Sequence, residues 1–229
     1  TPSAQWTVTG SGAALVCSSQ TGPQIESCTI GTVTDLGIKD ANNMGAAMAP
    51  AAYATIRAHF EDLKTGPEDY DLIVTGDLGQ LGKDLLLELS KKDGISLGGK
   101  LTDCGNLVFD NTKQDVHSGG SGCGCCAAVL NGYLLRQLRQ KALNRILFAP
   151  TGALLSPTSV QQGLSIPGVC HAVSIVGETE MEYLKAFLQA IESFEVGVVD
   201  VAFGFYPADK VNGALITCRT AKSKQIDIV

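Results

Sequence analysis

Met44-Gly45-Ala46-Ala47-Met48-Ala49-Pro50-Ala51-Ala52-Tyr53-Ala54-Thr55-Ile56 carries no charged side chain. Asn42 or Asn43 stands ahead of it as a cap, and the helix that follows runs to about Leu63. A helix that is apolar on most of its faces is covered on most of them. Its far end, Arg57 to Lys64, turns polar and reaches the surface, and His59 is expected there as a surface residue. The apolar part belongs to an inner layer. A five-layer arrangement, with one helix layer between two sheets, accounts for it.

Outward from this helix, strands and helices alternate. Upstream, Gln24 to Leu36 reads as a long strand with Ile25, Cys28, Ile30, Val33 and Leu36 among small polar residues. Downstream, Gly66-Pro67-Glu68-Asp69 is a turn and Tyr70 to Thr75 a short buried strand. Gly76-Asp77-Leu78-Gly79 breaks it, and a helix continues through Leu85, Leu86 and Leu89 to Lys92. A short strand over Leu101 to Cys104 and an irregular loop come next. A glycine- and cysteine-rich turn then opens a helix through Leu130, Leu134, Leu135 and Leu138 to about Lys141. Ile146 to Ala149 is a strand, Pro150 to Ser165 a long ordered loop, and Val169 to Val176 a last strand. Such alternation argues for an α/β fold with a mostly parallel, mixed sheet. Gln5 to Thr9 has β character, with Ala13 to Ser18 as its expected hairpin partner. In the tail, a helix to about Phe194 precedes strands near Val196 to Phe205 and Ala214 to Arg219.

Composition narrows the function classes. The 229 residues are 45% hydrophobic and 17% charged, which describes a chain with a sizeable core. Net charge is −6 and no basic stripe appears, so nucleic acid is not an expected partner. No apolar run reaches the roughly 20 residues of a membrane span. Of the eight cysteines, Cys123 and Cys126 have Cys-x-x-Cys spacing. Cys104, Cys170 and Cys218 stand alone, so there is no second pair to complete a zinc site, and no metal is expected. Most of the cysteines read as reduced, small and buried. The sequence starts at Thr1 rather than Met, as a fragment or trimmed chain would.

The chemistry concentrates in His117-Ser118-Gly119-Gly120-Ser121-Gly122-Cys123-Gly124-Cys125-Cys126. Glycine lets backbone N–H groups approach a ligand, and a helix start leaves several such donors unpaired. The turn suits an anion or an oxygen developing negative charge. It equally suits a tight strand-to-helix connection packed under a sheet. Asp77, in the earlier glycine turn, either binds a cation or caps its helix. Thr151, Gly152 and Ser156 follow a strand end, where ligands of α/β sheets gather.

Six segments in order carry a resemblance. They are Gln5 to Gly10, Gly45 to Ala52, Asp69 to Gly79, Thr102 to Gly105, Gln114 to Cys123 and Thr151 to Ser159. Over about residues 1–176 the chain resembles the stage V sporulation protein AD family of the thiolase-like fold. The resemblance implies a fold of two similar halves, with 1–24 ending an incomplete amino-terminal half and 25–177 forming the carboxy-terminal half. Residues 178–229 are an unassigned tail, a fusion or an extension; Met181 to Leu188 resembles the opening of stage V sporulation protein AE, a membrane protein.

The resemblance further implies a non-catalytic sporulation protein. It binds dipicolinic acid and supports its movement, with calcium, into the developing spore and out at germination. The expected place is peripheral, at the forespore inner membrane, beside other stage V sporulation membrane proteins, with a homodimer as a further possibility and no cofactor. Related condensing enzymes keep a histidine in the turn that here reads Gly76-Asp77-Leu78-Gly79, and a carboxylate there repels an oxyanion. The expected ligand-binding set is Asp77, His117, Ser118, Gly119, Gly120, Ser121, Gly122, Thr151, Gly152 and Cys170. For Cys170 the resemblance suggests a pocket role, whereas its setting reads as core, with His171 on the opposite face of the strand. The alternatives are a condensing acyltransferase acting on acyl-CoA or acyl-carrier protein, and a membrane-associated scaffold.

Overall fold

The computed structural model describes residues 1–18 and 22–177, together with the strands Val198–Gly204, Leu215–Thr220 and Gln225–Ile228. The chain divides into two units, one of Thr1–Ala14 with Gly22–Glu178, the other of Leu15–Thr21 with Thr179–Val229.

In the first unit the elements follow in the order β1 (Trp6–Thr7), β2 (Gln24–Ile30), α1 (Met44–Leu63), β3 (Leu72–Thr75), α2 (Gly79–Lys92), β4 (Leu101–Asp103) and α3 (Cys104–Val108). There follow β5 (Gly120–Ser121), α4 (Cys125–Val129), a π-helical turn (Leu130–Leu134) and α5 (Leu135–Arg139). The unit closes with β6 (Arg145–Ala149), β7 (Thr151–Ala153), α6 (Pro157–Gln161) and β8 (Gly168–Val176). The main sheet runs β2-β8-β6-β3-β4, with β7 also on β8. The pairs β3–β4 and β3–β6 are parallel, whereas β8 is antiparallel to β6, β2 and β7.

Strand alternation sends apolar side chains to both faces of this sheet. Ile73, Leu101, Leu147, Ala149, Cys170 and Ala172 join Met48, Ile56 and Phe60 of α1 and Leu86 of α2 in one buried cluster. Val74, Ile146, Phe148 and Ile175 join Val129, Leu134 and Leu138 in the other. Helices thus cover both faces of the main sheet in this unit, and β1 and β5 form a separate two-stranded sheet. The apolar character of α1 comes largely from alanine. Ala46, Ala54 and Ala58 are only half-buried, because so small a side chain can line a face that is not fully covered. Asn43 caps α1, accepting from Ala46 N at 3.2 Å, and Lys64 ends it in the left-handed region.

Several expectations are corrected. His59 is fully buried. Ala13 to Ser18 forms no strand; Trp6 N donates to Gly119 O at 2.9 Å and Val8 N to Ser121 O at 2.8 Å, so β1 pairs with β5 in parallel. The strand expected over Gln24 to Leu36 ends at Ile30, and beyond it only Thr34 bridges to Gly168. The expected loop from Pro150 to Ser165 contains β7 and α6, and the irregular stretch after β4 begins with α3.

In the second unit, β9 (Val198–Gly204), β10 (Leu215–Thr220) and β11 (Gln225–Ile228) form an antiparallel sheet ordered β11-β10-β9. The sequence reading located the first two strands and not the third. The helix expected to about Phe194 lies outside the described residues.

Candidate functional site

The parallel strands β3, β4 and β6 end at Thr75, Asp103 and Ala149, and the connections that leave them emerge from the same edge of the sheet. Asp103 sits at the centre of this edge with no solvent exposure. Its carboxylate accepts from Thr75 Oγ1 at 2.7 Å, Leu78 N at 2.9 Å, Gly79 N at 3.0 Å and Gly105 N at 3.0 Å. Asp103 thus fixes the glycine turn after β3 and caps α3. Burial pushes its carboxyl up, and these donors oppose that shift. Sequence reasoning quoted Asp103 within a motif without giving it a role. The available signal was an Asp between a short strand and a helix start.

Asp77 lies one turn away and is half-buried. Its Oδ2 accepts from Ser121 Oγ at 2.8 Å and from Gly122 N at 3.1 Å. It therefore bridges the glycine turn after β3 to the glycine–cysteine turn. Gln5 binds the two turns from a third side, donating from Nε2 to Asp77 O at 2.9 Å and to Gly120 O at 3.2 Å. In the sequence Gln5 opens a strand and a segment of the resemblance, and neither gives its side chain a role.

Ser118 is buried and serves α2. Its Oγ accepts from Leu81 N at 3.0 Å and its carbonyl from Gln80 N at 2.7 Å, while its own N–H donates to Ala4 O at 2.9 Å. Gly119 N donates to Val116 O at 2.9 Å. The N–H groups of Ser118, Gly119 and Gly122 thus already have protein acceptors, which is the strand-to-helix reading of this turn. His117 takes a positive φ of 52° and turns its ring partly to solvent, with Nδ1 3.3 Å from Asp115 Oδ1.

The connection after β6 approaches the same turn. A Cβ at Gly76 would lie 3.0 Å from Thr151 N. Thr151 Oγ1 is buried and has no hydrogen-bond partner. Gly152 pairs with Val169 across β7 and β8. The fold therefore gathers Asp77, Ser118 to Gly122 and Thr151 at one edge. Cys170 is the ladder partner of Thr151 across β7 and β8, but its thiol is buried in the core, with Sγ 3.5 Å from Ala149 O. His171 faces the other way, exposed, its Nδ1 accepting from Gly31 N at 3.1 Å.

The buried and half-buried thiols hold their protons more tightly than a free cysteine does. Burial pushes Cys125 up to about 12, helped by the charges of Asp77 and Asp103. Cys104 and Cys126 are raised by burial first and by the same carboxylates after it. Cys170 is also pushed up to about 12 by burial. Among the described residues, no group of three or more His, Cys, Asp or Glu side chains is arranged to hold a metal, and no helix is long and apolar enough to cross a membrane.

The profile of the family described as stage V sporulation protein AD (SpoVAD) matches residues 1–176. The stage V sporulation protein AD of Bacillus subtilis (strain 168) is 48% identical over 167 residues, which cover 73% of this chain and 49% of that protein. The chain thus spans about half the length of that relative. Among solved structures, the Bacillus anthracis acetyl-CoA acetyltransferase aligns at 19% identity and a TM-score of 0.36, covering 67% of this chain and 30% of its own. A tetronic acid condensing enzyme aligns at 13% identity and a TM-score of 0.39, covering 68% and 47%. At those scores neither likeness carries an argument. The family match covers most of the chain and contains every element of the edge described above, and the chain belongs to the stage V sporulation protein AD family.

Proposed function

We propose that this chain is part of a non-catalytic receptor for dipicolinic acid. The receptor supports movement of that ligand, with calcium, into the developing spore and out at germination. It works from the periphery of the forespore inner membrane, beside other stage V sporulation membrane proteins. One observation carries the non-catalytic part: two carboxylates, Asp77 and Asp103, occupy the edge where condensing chemistry would need oxyanion donors and a thiolate. A negative field there disfavours both the thiolate and a developing oxyanion. A receptor needs neither.

Free dipicolinate is a dianion and meets the same field, whereas its one-to-one calcium chelate is neutral. The chelate is therefore the species assigned to this edge. Thr151 Oγ1, a buried hydroxyl without a protein partner, is the donor assigned to a ligand carboxylate. Calorimetric titration of dipicolinate, with and without calcium, into the full-length Bacillus subtilis relative and into this chain tests the reading. Saturable binding that tightens with calcium is expected, and Thr151→Val should weaken it about tenfold, the loss of one hydrogen bond. Absence of saturable heat at millimolar ligand in both proteins defeats the proposal, as does a stable acyl-cysteine adduct after incubation with acyl-CoA.

A further inference from the structure

Cys123 and Cys126 are one helical turn apart. Cys125 N donates to Gly122 O at 2.9 Å, and Gly124 has φ −92° and ψ −9°. Those angles belong to the second inner residue of a type I turn, whose first inner residue, here Cys123, is helical as well. Ala128 N then donates to Gly124 O at 2.9 Å, and α4 continues without a break. Residues three apart in such a run face the same side, with Cβ atoms about 5–6 Å apart. A disulfide needs Cα atoms about 4.4–6.8 Å and Cβ atoms about 3.5–4.5 Å apart, so closure draws the backbone of this first turn in by about 1–2 Å.

Burial sorts the three neighbouring thiols. Cys123 is exposed, Cys126 half-buried and Cys125 buried, with Cys125 Sγ turned to Gly76 O at 3.8 Å. The turn between Cys123 and Cys126 is held by the fold. Gly10 O lies only 1.9 Å from where a Cβ of Gly124 would be, so the backbone of residues 10–11 clamps the turn from outside. One thiol is thus open to attack, and a second stands on the same face within reach.

We propose that Cys123 and Cys126 are a reversible dithiol–disulfide pair that exchanges with low-molecular-weight disulfides such as oxidised glutathione. Cys123 as thiolate attacks one glutathione sulfur. The glutathione S–S bond breaks, a glutathione thiolate leaves, and a mixed disulfide forms on Cys123. Burial and the Asp77 charge raise the Cys126 thiol, so only its small ionised fraction reacts. That thiolate, held beside the mixed disulfide at high effective concentration, attacks the Cys123 sulfur and expels the second glutathione thiolate. The two protons lost by the protein thiols end on the two released glutathiones. The protein is oxidised by two electrons, and one glutathione disulfide is reduced to two thiols. The pair is independent of the receptor reading, and its test uses no dipicolinate.

The full chain is equilibrated in glutathione buffers of graded ratio, acid-quenched, alkylated and mapped by peptide mass spectrometry. The wild type is expected to lose two hydrogens and to carry a bond within the peptide holding Cys123 and Cys126. Cys126→Ser, and Cys126→Ala as a second version, are expected to stop at a glutathione adduct on Cys123. A variant with Cys17→Ser and Cys28→Ser keeps the bond. The proposal fails if the wild type remains a glutathione adduct at equilibrium, if Cys126→Ser still closes an internal bond at Cys123, or if the bond requires Cys17 or Cys28.

Discussion

Between Thr29 on β2 and Tyr70 ahead of β3, the His59 ring makes two hydrogen bonds of 2.8 Å, one from each nitrogen. A neutral imidazole donates from one nitrogen and accepts at the other, and both hydroxyls can adapt to either role. Burial holds this histidine below its ordinary value, partly opposed by the charges of Glu26 and Asp62. The unfolded chain therefore takes up this proton before the native one does. Stability is fully present above about pH 6.5 and falls as pH drops below it. Urea unfolding between pH 5 and 8 should show this slope, and His59→Gln should flatten it; an unchanged slope refutes the account. His59→Leu leaves both hydroxyls unpaired, at about 1–3 kcal/mol. The sequence places His59 on the surface because the end of its helix, Arg57 to Lys64, turns polar. Its partners lie on other elements, and no helical periodicity reports them. Asp77 is a similar case: its partners Ser121 and Gly122 are 44 and 45 positions away. Asp77→Ala strands a hydroxyl and an N–H, and chemical denaturation should register a loss of about 1.5–3 kcal/mol.

At the scale of elements, the segment Gln5–Gly12 and the helical run from Cys125 are fitted to one another by glycine. Gly124→Ala forces its methyl into Gly10 O and should cost about 1–3 kcal/mol or more, since backbone cannot yield as a side chain tip does. Gly132, in the π-helical turn of the same run, has open space around it. Gly132→Ala should be neutral or stabilising by up to about 1 kcal/mol. Paired melting curves of the two variants check the contrast, and equal losses would refute it. Most elements of this unit were legible as periodic runs: α1, α2, the helix from Cys125, β3, β6 and β8. The errors fell where local pattern and pairing part company. Gln5 to Thr9 was correctly given β character, yet its partner is Gly120–Ser121, a strand with no apolar side chain to announce it. The glycine–cysteine turn was legible as a place where backbone donors collect. That protein acceptors and Asp77 already use three of those donors was not, because two of the three contacts, Ser118 N to Ala4 O and Gly122 N to Asp77 Oδ2, join residues far apart in sequence.

For the molecule as a whole, β8 carries more of the order than any run in the sequence announces. The alternation from Gln24 to Val176 argued for a mostly parallel sheet, and β3, β4 and β6 obey it. A parallel return needs a crossover of a dozen or more residues, usually built on a full helix. The connection from β6 to β8 contains only β7 and the five-residue α6, so β8 comes back antiparallel. It then pairs with β2, β6 and β7, and is the sheet partner of β2 and β7 among the described strands. Cys170, Ala172 and Ile175 on this strand also reach both apolar clusters. A chain ending at Gly177 keeps every one of these pairings, and Gly177 N still donates to Asn144 O at 2.6 Å. It should unfold in a single cooperative transition by circular dichroism. A chain ending at Ile166 loses β8, leaves β2 and β7 without a ladder and opens both clusters, so it should show no cooperative melt. A cooperative transition in the shorter chain, or its absence in the longer one, would mean that the sheet does not draw its order from β8.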